Sequence, residues 1–124
     1  MFEDIIPLIK KDSFIIFDIH DTVITRNKPY HFTDLDGFIH LFKYVKGNIA
    51  FLTAHPSEKE VKRGFKDVGL KYEDFNVLYS KIPKGLFLKQ YSYPPNTVFI
   101  DNSLRQINSV RKHCPDILAI HFTR

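Results

Sequence analysis

The sequence predicts an α/β domain spanning residues 1–124, with a five-stranded parallel sheet in the order 3-2-1-4-5 between layers of helices. Three observations lead there. Short apolar runs alternate with amphipathic segments, the pattern of buried parallel strands joined by covering helices. Two of the runs end in an aspartate, Asp18 and Asp101. Helix-starting pairs, Ser57 with Glu60 and Ser103 with Gln106, stand where strands must hand over to helices.

Phe14-Ile15-Ile16-Phe17 is the first strand, closing at Asp18. Ile49-Ala50-Phe51-Leu52 is the second and closes at Thr53; Asn76-Val77-Leu78-Tyr79 is the third. Thr97-Val98-Phe99-Ile100 is the fourth, closing at Asp101, and Ile117-Leu118-Ala119-Ile120 the fifth. Between them, Leu35, Phe38, Ile39, Phe42 and Val45 recur at helical spacing behind a Thr33/Asp34 cap region. Ser57 and Glu60 form a capping box ahead of Val61, Phe65 and Val68, and Gly69 stands where that helix must stop. Ser103 and Gln106 form another ahead of Ile107 and Val110, a shorter helix spans Lys84 to Tyr91, and Phe2 to Ile9 reads as a helix interrupted at Pro7.

A hydrophobic content of 44% and a charged content of 26% are those of an ordinary globular domain. The chain contains no apolar run of membrane-spanning length, and the single cysteine, Cys114, has no partner for an internal disulfide. A cytoplasmic protein without a membrane partner is the expectation. The formal charge of +4 is mild. Lys59, Lys62, Arg63 and Lys66, and Arg105, Arg111 and Lys112, read as solvated helix faces, so nucleic acid is not indicated as a partner.

In open parallel sheets, ligands bind beyond the carboxyl ends of the strands, where the strand order reverses. The order 3-2-1-4-5 makes the first and fourth strands neighbours. Asp18 and Asp101 then meet at that point, with Thr53 one strand away.

The stretch from Phe14 through Asp18-Ile19-His20-Asp21-Thr22 to Ile24 resembles the first motif of the haloacid dehalogenase-like (HAD) superfamily, an apolar strand followed by Asp-x-Asp-x-Thr. Leu52-Thr53-Ala54 is similar to its second motif, Lys84-Gly85 to its third, and Val98 to Ser103 to its fourth, in the same order along the chain. The resemblance implies a three-layer Rossmann-like fold and a phosphatase that uses magnesium. Asp18 would be the nucleophile that forms an aspartyl-phosphate. Asp18, the backbone carbonyl of His20 and Asp101 would hold Mg²⁺, with Asn102 compatible with the metal shell. Thr53 would donate to a phosphoryl oxygen, beside Ala54, and Lys84 would balance charge on the phosphoryl group and nucleophile. Lys81 and Lys89 are close enough in sequence to compete with Lys84 for that role.

The pattern departs at position 20. Phosphatases of the superfamily place an aspartate there as general acid and base; here it is His20, followed by Asp21. Three outcomes are open: His20 takes over the proton transfer, Asp21 reaches in, or the step is impaired. The first two leave a phosphohydrolase. The third slows turnover without abolishing phosphate binding, and the alternative that His20 motivates is a degenerate domain that serves as a binding or regulatory module. His55, after Thr53-Ala54, reads as a solvent-exposed loop residue.

The superfamily's cap insertions have no counterpart, since only a flap, residues 20 to 33, separates the first strand from its helix. The expectation is a capless, phosphatase-like member. Its site would be closed by a phosphorylated macromolecular substrate or by a neighbouring subunit, and the flap residues Arg26, Lys28, Tyr30 and His31 would touch that substrate.

Overall fold

A computed structural model describes residues 1–124. The sheet contains β1 (Phe14–Phe17), β2 (Ile49–Thr53), β3 (Val77–Tyr79), β4 (Thr97–Asp101) and β5 (Leu118–His121). All neighbours run parallel, in the order β3-β2-β1-β4-β5. The α/β, Rossmann-like architecture is the one the apolar runs predict. Four α-helices cover it: α1 (Leu35–Tyr44), α2 (Glu58–Asp67), α3 (Lys84–Leu88) and α4 (Leu104–His113). No helix is long and apolar enough to cross a membrane.

The central strands β1, β2 and β4 are buried on both sides, the edge strands β3 and β5 only partly, and alternate residues feed two cores. Ile15, Phe17, Phe51, Val98 and Ile100 face α1 and α2, where Phe38, Leu41, Val61 and Phe65 meet them. Ile16, Leu52 and Phe99 face the other way, against Leu88, Ile107 and Val110 of α3 and α4. The first core is built on aromatic pairs. Phe2 stands edge-on to Phe17, with ring centroids 5.6 Å apart, and Phe51 edge-on to Phe65 at 5.1 Å. Such pairs add about 0.5–1.5 kcal/mol beyond the area they bury.

The local signals hold with small changes. Asp34 caps α1 by accepting from the Gly37 N–H, and Gly69 (φ 84°) lies just beyond α2. Phe2–Leu8 is a tight 3₁₀ helix that contains Pro7 rather than one broken at it. The helix expected to reach Tyr91 ends as α3 at Leu88, and the chain continues in turns toward Pro94 and Pro95. Both capping boxes form only in one direction. The Ser57 and Ser103 hydroxyls accept from the Glu60 and Gln106 N–H groups, at 3.2 and 3.4 Å. The Glu60 and Gln106 side chains do not fold back; they bind elsewhere in the structure.

The flap is a compact excursion. Ile24 bridges to both His20 and Phe32, and Asp21 takes a left-handed conformation (φ 61°). Buried Tyr30 anchors the flap to α2 by donating to Glu60 at 2.9 Å, with Lys28 paired to the same carboxylate at 3.3 Å.

Candidate active site

Parallel pairing of β1 with β4 sets Phe17 beside Ile100, and the Asp18 N–H continues the ladder to the Ile100 carbonyl at 2.9 Å. Asp18 and Asp101 are therefore adjacent where the chain leaves the sheet. The third charge comes from α3, whose first residue is Lys84. Its ammonium donates to Asp18 Oδ1 at 2.6 Å and to Asp101 Oδ2 at 2.8 Å. The Lys84 side chain is 2% exposed, whereas Lys81 and Lys89 are exposed on the surface. Among the three lysines, Lys84 alone reaches the carboxylates.

The remaining oxygens are also engaged. Thr22, four residues after Asp18, is fully buried and donates to Asp18 Oδ2 at 2.8 Å; its own oxygen accepts from the Asn102 N–H at 3.0 Å. Asp101 Oδ1 accepts from the Ser103 N–H at 2.9 Å. Burial, with Asp18 alongside, raises the Asp101 carboxyl to about 6, against the opposing pull of Lys84. Two buried carboxylates and one ammonium leave a net negative charge, and that is the chemistry of a site suited to one more cation.

Oxygen is the right donor for magnesium, which takes one or two carboxylates and completes its shell with other oxygens and water. One end of the Asn102 amide lies 3.2 Å from Asp18 Oδ2 and 3.3 Å from Asp101 Oδ1. Between two carboxylate oxygens, which only accept, that end is the nitrogen, donating to both. With the oxygen turned inward, the same place supplies a third oxygen ligand. The donor set fits a hard cation, though no third acid, histidine or cysteine completes a metal cluster.

Above this floor opens a cleft of about 350 Å³, lined by Asp18, His20, Arg26, Thr53, Lys84 and Asp101, and further by Ala54, His55, Asn102 and Gln106. The residues assigned to the four motifs, Asp18, His20, Thr53, Ala54, Lys84, Asp101 and Asn102, thus come to one place. Thr53 ends β2, and its hydroxyl oxygen accepts from the His55 N–H at 3.1 Å, which leaves its own proton to donate into the cleft. The His20 ring lies in the cleft wall, 7% exposed. Burial, and then the neighbouring His55 imidazole, hold its pKa below the usual histidine value, with Asp18 pulling the other way.

Several expectations are corrected. Asp21 does not reach in: its carboxylate is taken by Arg26, whose Nε donates to Oδ2 at 2.8 Å and whose N–H donates to Oδ1 at 2.9 Å. His55 is not a free loop residue; it lines the cleft with its ring centroid 4.8 Å from that of His20. The Ser57 N–H donates to its Nδ1 at 3.0 Å, which fixes the neutral ring with its proton on Nε2. Of the flap residues expected near substrate, only Arg26 lines the cleft. Lys28 and Tyr30 are held by Glu60, and His31 is exposed elsewhere. In the sequence, Thr22 and Gln106 read only as a motif residue and a cap residue. The i,i+4 spacing of Asp18 and Thr22 was the available signal for the first.

Among solved structures, the chain is similar to the N-terminal part of the protein BF1531 from Bacteroides fragilis, a part that contains a phosphatase domain and is complexed with Mg. The TM-score is 0.67 at 18% sequence identity, over 93% of this chain and 36% of that one. The chain therefore spans little more than a third of that neighbour's length. No family model matches the chain, and no curated protein matches it. At this identity the likeness establishes a shared fold.

Proposed function

We propose that this chain is a magnesium-dependent phosphohydrolase of the HAD-like type, with Asp18 as the nucleophile. The observation that carries this reading is the buried Lys84 ammonium bridging Asp18 and Asp101 at the sheet's switch point, under an open polar cleft. A carboxylate so placed can attack phosphorus: an Asp18 oxygen bonds to phosphorus, the bond to the leaving oxygen breaks, and an aspartyl-phosphate remains. Water then attacks phosphorus, releases inorganic phosphate and regenerates the Asp18 carboxylate.

Each neighbour has a part in this scheme. Lys84 offsets charge on the phosphoryl group and nucleophile, and the Thr53 hydroxyl donates to a phosphoryl oxygen. Thr22 holds Asp18 by its second oxygen, so the attacking carboxylate keeps one orientation. Asp18, Asp101, Asn102 and the His20 carbonyl would hold Mg²⁺, which supplies neutralisation of the approaching anions. His20, with its imidazole in the cleft wall, takes the proton from the attacking water.

Only short segments follow β1 and β3, so the cleft stays open. We take the substrate to be a phosphorylated group on a macromolecule, or one enclosed by a second copy of the chain. His20 also sustains a second reading. If imidazole fails at proton transfer, the same cleft binds a phosphorylated partner without turning it over.

Assays on phosphoesters and phosphopeptides with magnesium separate the two. Wild type should turn over and Asp18→Asn should not, while both remain folded by circular dichroism. His20→Asp should raise turnover roughly 10- to 100-fold, within the span of general acid–base catalysis. An inert wild type that gains activity only as His20→Asp establishes the binding module instead.

A further inference from the structure

Lys84 belongs to α3, which is only five residues long and follows Pro83, whose ring has no polar atom to cap it. An isolated helix of this length is unstable, and its first N–H groups need partners. They find them on α4. Gln106 Oε1 accepts from the Lys84 N–H at 2.9 Å, and Ser109 Oγ accepts from the Gly85 N–H at 3.0 Å. The two acceptors stand three residues apart, on one face of α4.

The contact is close. A Cβ placed on Gly85 would lie 2.1 Å from the Ser109 carbonyl oxygen and 2.6 Å from its hydroxyl, so only glycine allows α3 to sit this near. The Gln106 amide is free to accept there because it does not close the capping box with Ser103. Its orientation is fixed as well, since a backbone N–H requires the oxygen end.

We propose that Gln106 and Ser109 are positioning residues: they cap α3 from α4 and thereby place the Lys84 ammonium between Asp18 and Asp101. This rests on the phosphohydrolase reading for its consequence but not for its geometry. Loss of either acceptor unties the first turn of α3, and Lys84 loses its fixed reach to the phosphoryl site. Gly85 sets the distance at which both bonds form.

Two measurements test the clamp. Amide hydrogen exchange of the full chain reads it directly: the Lys84 and Gly85 amides should be protected in wild type. Exchange should rise roughly tenfold for the Lys84 amide in Gln106→Leu and for the Gly85 amide in Ser109→Ala, the effect of losing one hydrogen bond. Unchanged protection in both variants overturns the proposal, and Ser109→Ala serves alone if Gln106→Leu does not fold.

The second measurement is a double-mutant cycle on the binding of inorganic phosphate at saturating magnesium. Gln106→Leu should weaken phosphate about tenfold in wild type and less than about twofold in a Lys84→Met background. An equal loss in both backgrounds overturns the proposal, because a residue that merely supports the fold acts whether or not the lysine is present. If wild type binds no phosphate, the phosphohydrolase reading fails, while the exchange experiment still decides the clamp.

Discussion

The floor and the rim of the cleft are built differently. On the floor, Asp18, Asp101, Lys84 and Thr22 are all buried, and each is tied to at least one other member or to the backbone beside it. On the rim, His20, His55 and Arg26 line the opening with few bonds to the floor, and Arg26 is largely exposed. Floor positions are fixed by strand register and helix packing, so a change there disturbs folding and chemistry together. Rim positions depend on loop conformation and can change residue type while the fold remains. His20, where the sequence departs from the motif it resembles, lies on the rim.

The contrast can be broken most directly at Lys84. Lys84→Met leaves two buried carboxylates without their ammonium, which should cost about 3–5 kcal/mol in chemical denaturation. The same variant should lose roughly 10²–10³-fold in turnover. Added magnesium should restore part of the stability but not the rate. A variant as stable as wild type would mean that the floor is no more integral than the rim.

Arg26→Ala should do the opposite. Its pair with Asp21 is exposed, so unfolding free energy should change by no more than about 1 kcal/mol. Steady-state kinetics should show a KM several-fold higher at nearly unchanged kcat, as expected of a contact made equally in ground and transition states.

The smallest effect lies at the flap's anchor. Hydrogen bonds from Tyr30 and then Lys28 hold the Glu60 carboxyl below the usual glutamate range. A lowered folded-state pKa gives stability that is present above the unfolded value and lost as pH falls through the folded one. Thermal melts from neutral pH down to about pH 3 should therefore show the acid-side decline in wild type and a shallower one in Tyr30→Phe.

Much of the floor is legible in the chain itself. An apolar run that stops at an acid marks the end of a buried strand, which is why Phe14–Asp18 and Thr97–Asp101 reveal strand order and site together. Thr53 is marked in a similar way, as the polar residue that closes the apolar run Ile49–Leu52. The rim is less legible, because loop geometry decides it. Asp21 and His20 are neighbours in sequence, yet the positive φ at Asp21 and its bonds to Arg26 send one away from the cleft while the other lines it. His55 depends on a bond from Ser57 that composition does not reveal. Gln106 shows the limit of local motifs: its spacing from Ser103 correctly marks a helix start, but a tertiary donor claims its side chain.

The Lys84 ammonium has three N–H groups, and the two carboxylates account for two of them. A long, flexible side chain normally gives up roughly 1.5–2 kcal/mol of rotamer freedom when it is immobilised. Here that freedom is surrendered when the chain folds, so on the proposed phosphohydrolase reading an arriving phosphoryl oxygen would meet a donor already at rest. Such a ligand would have no lysine side chain to order, and its affinity would reflect the contacts it makes rather than the cost of assembling them.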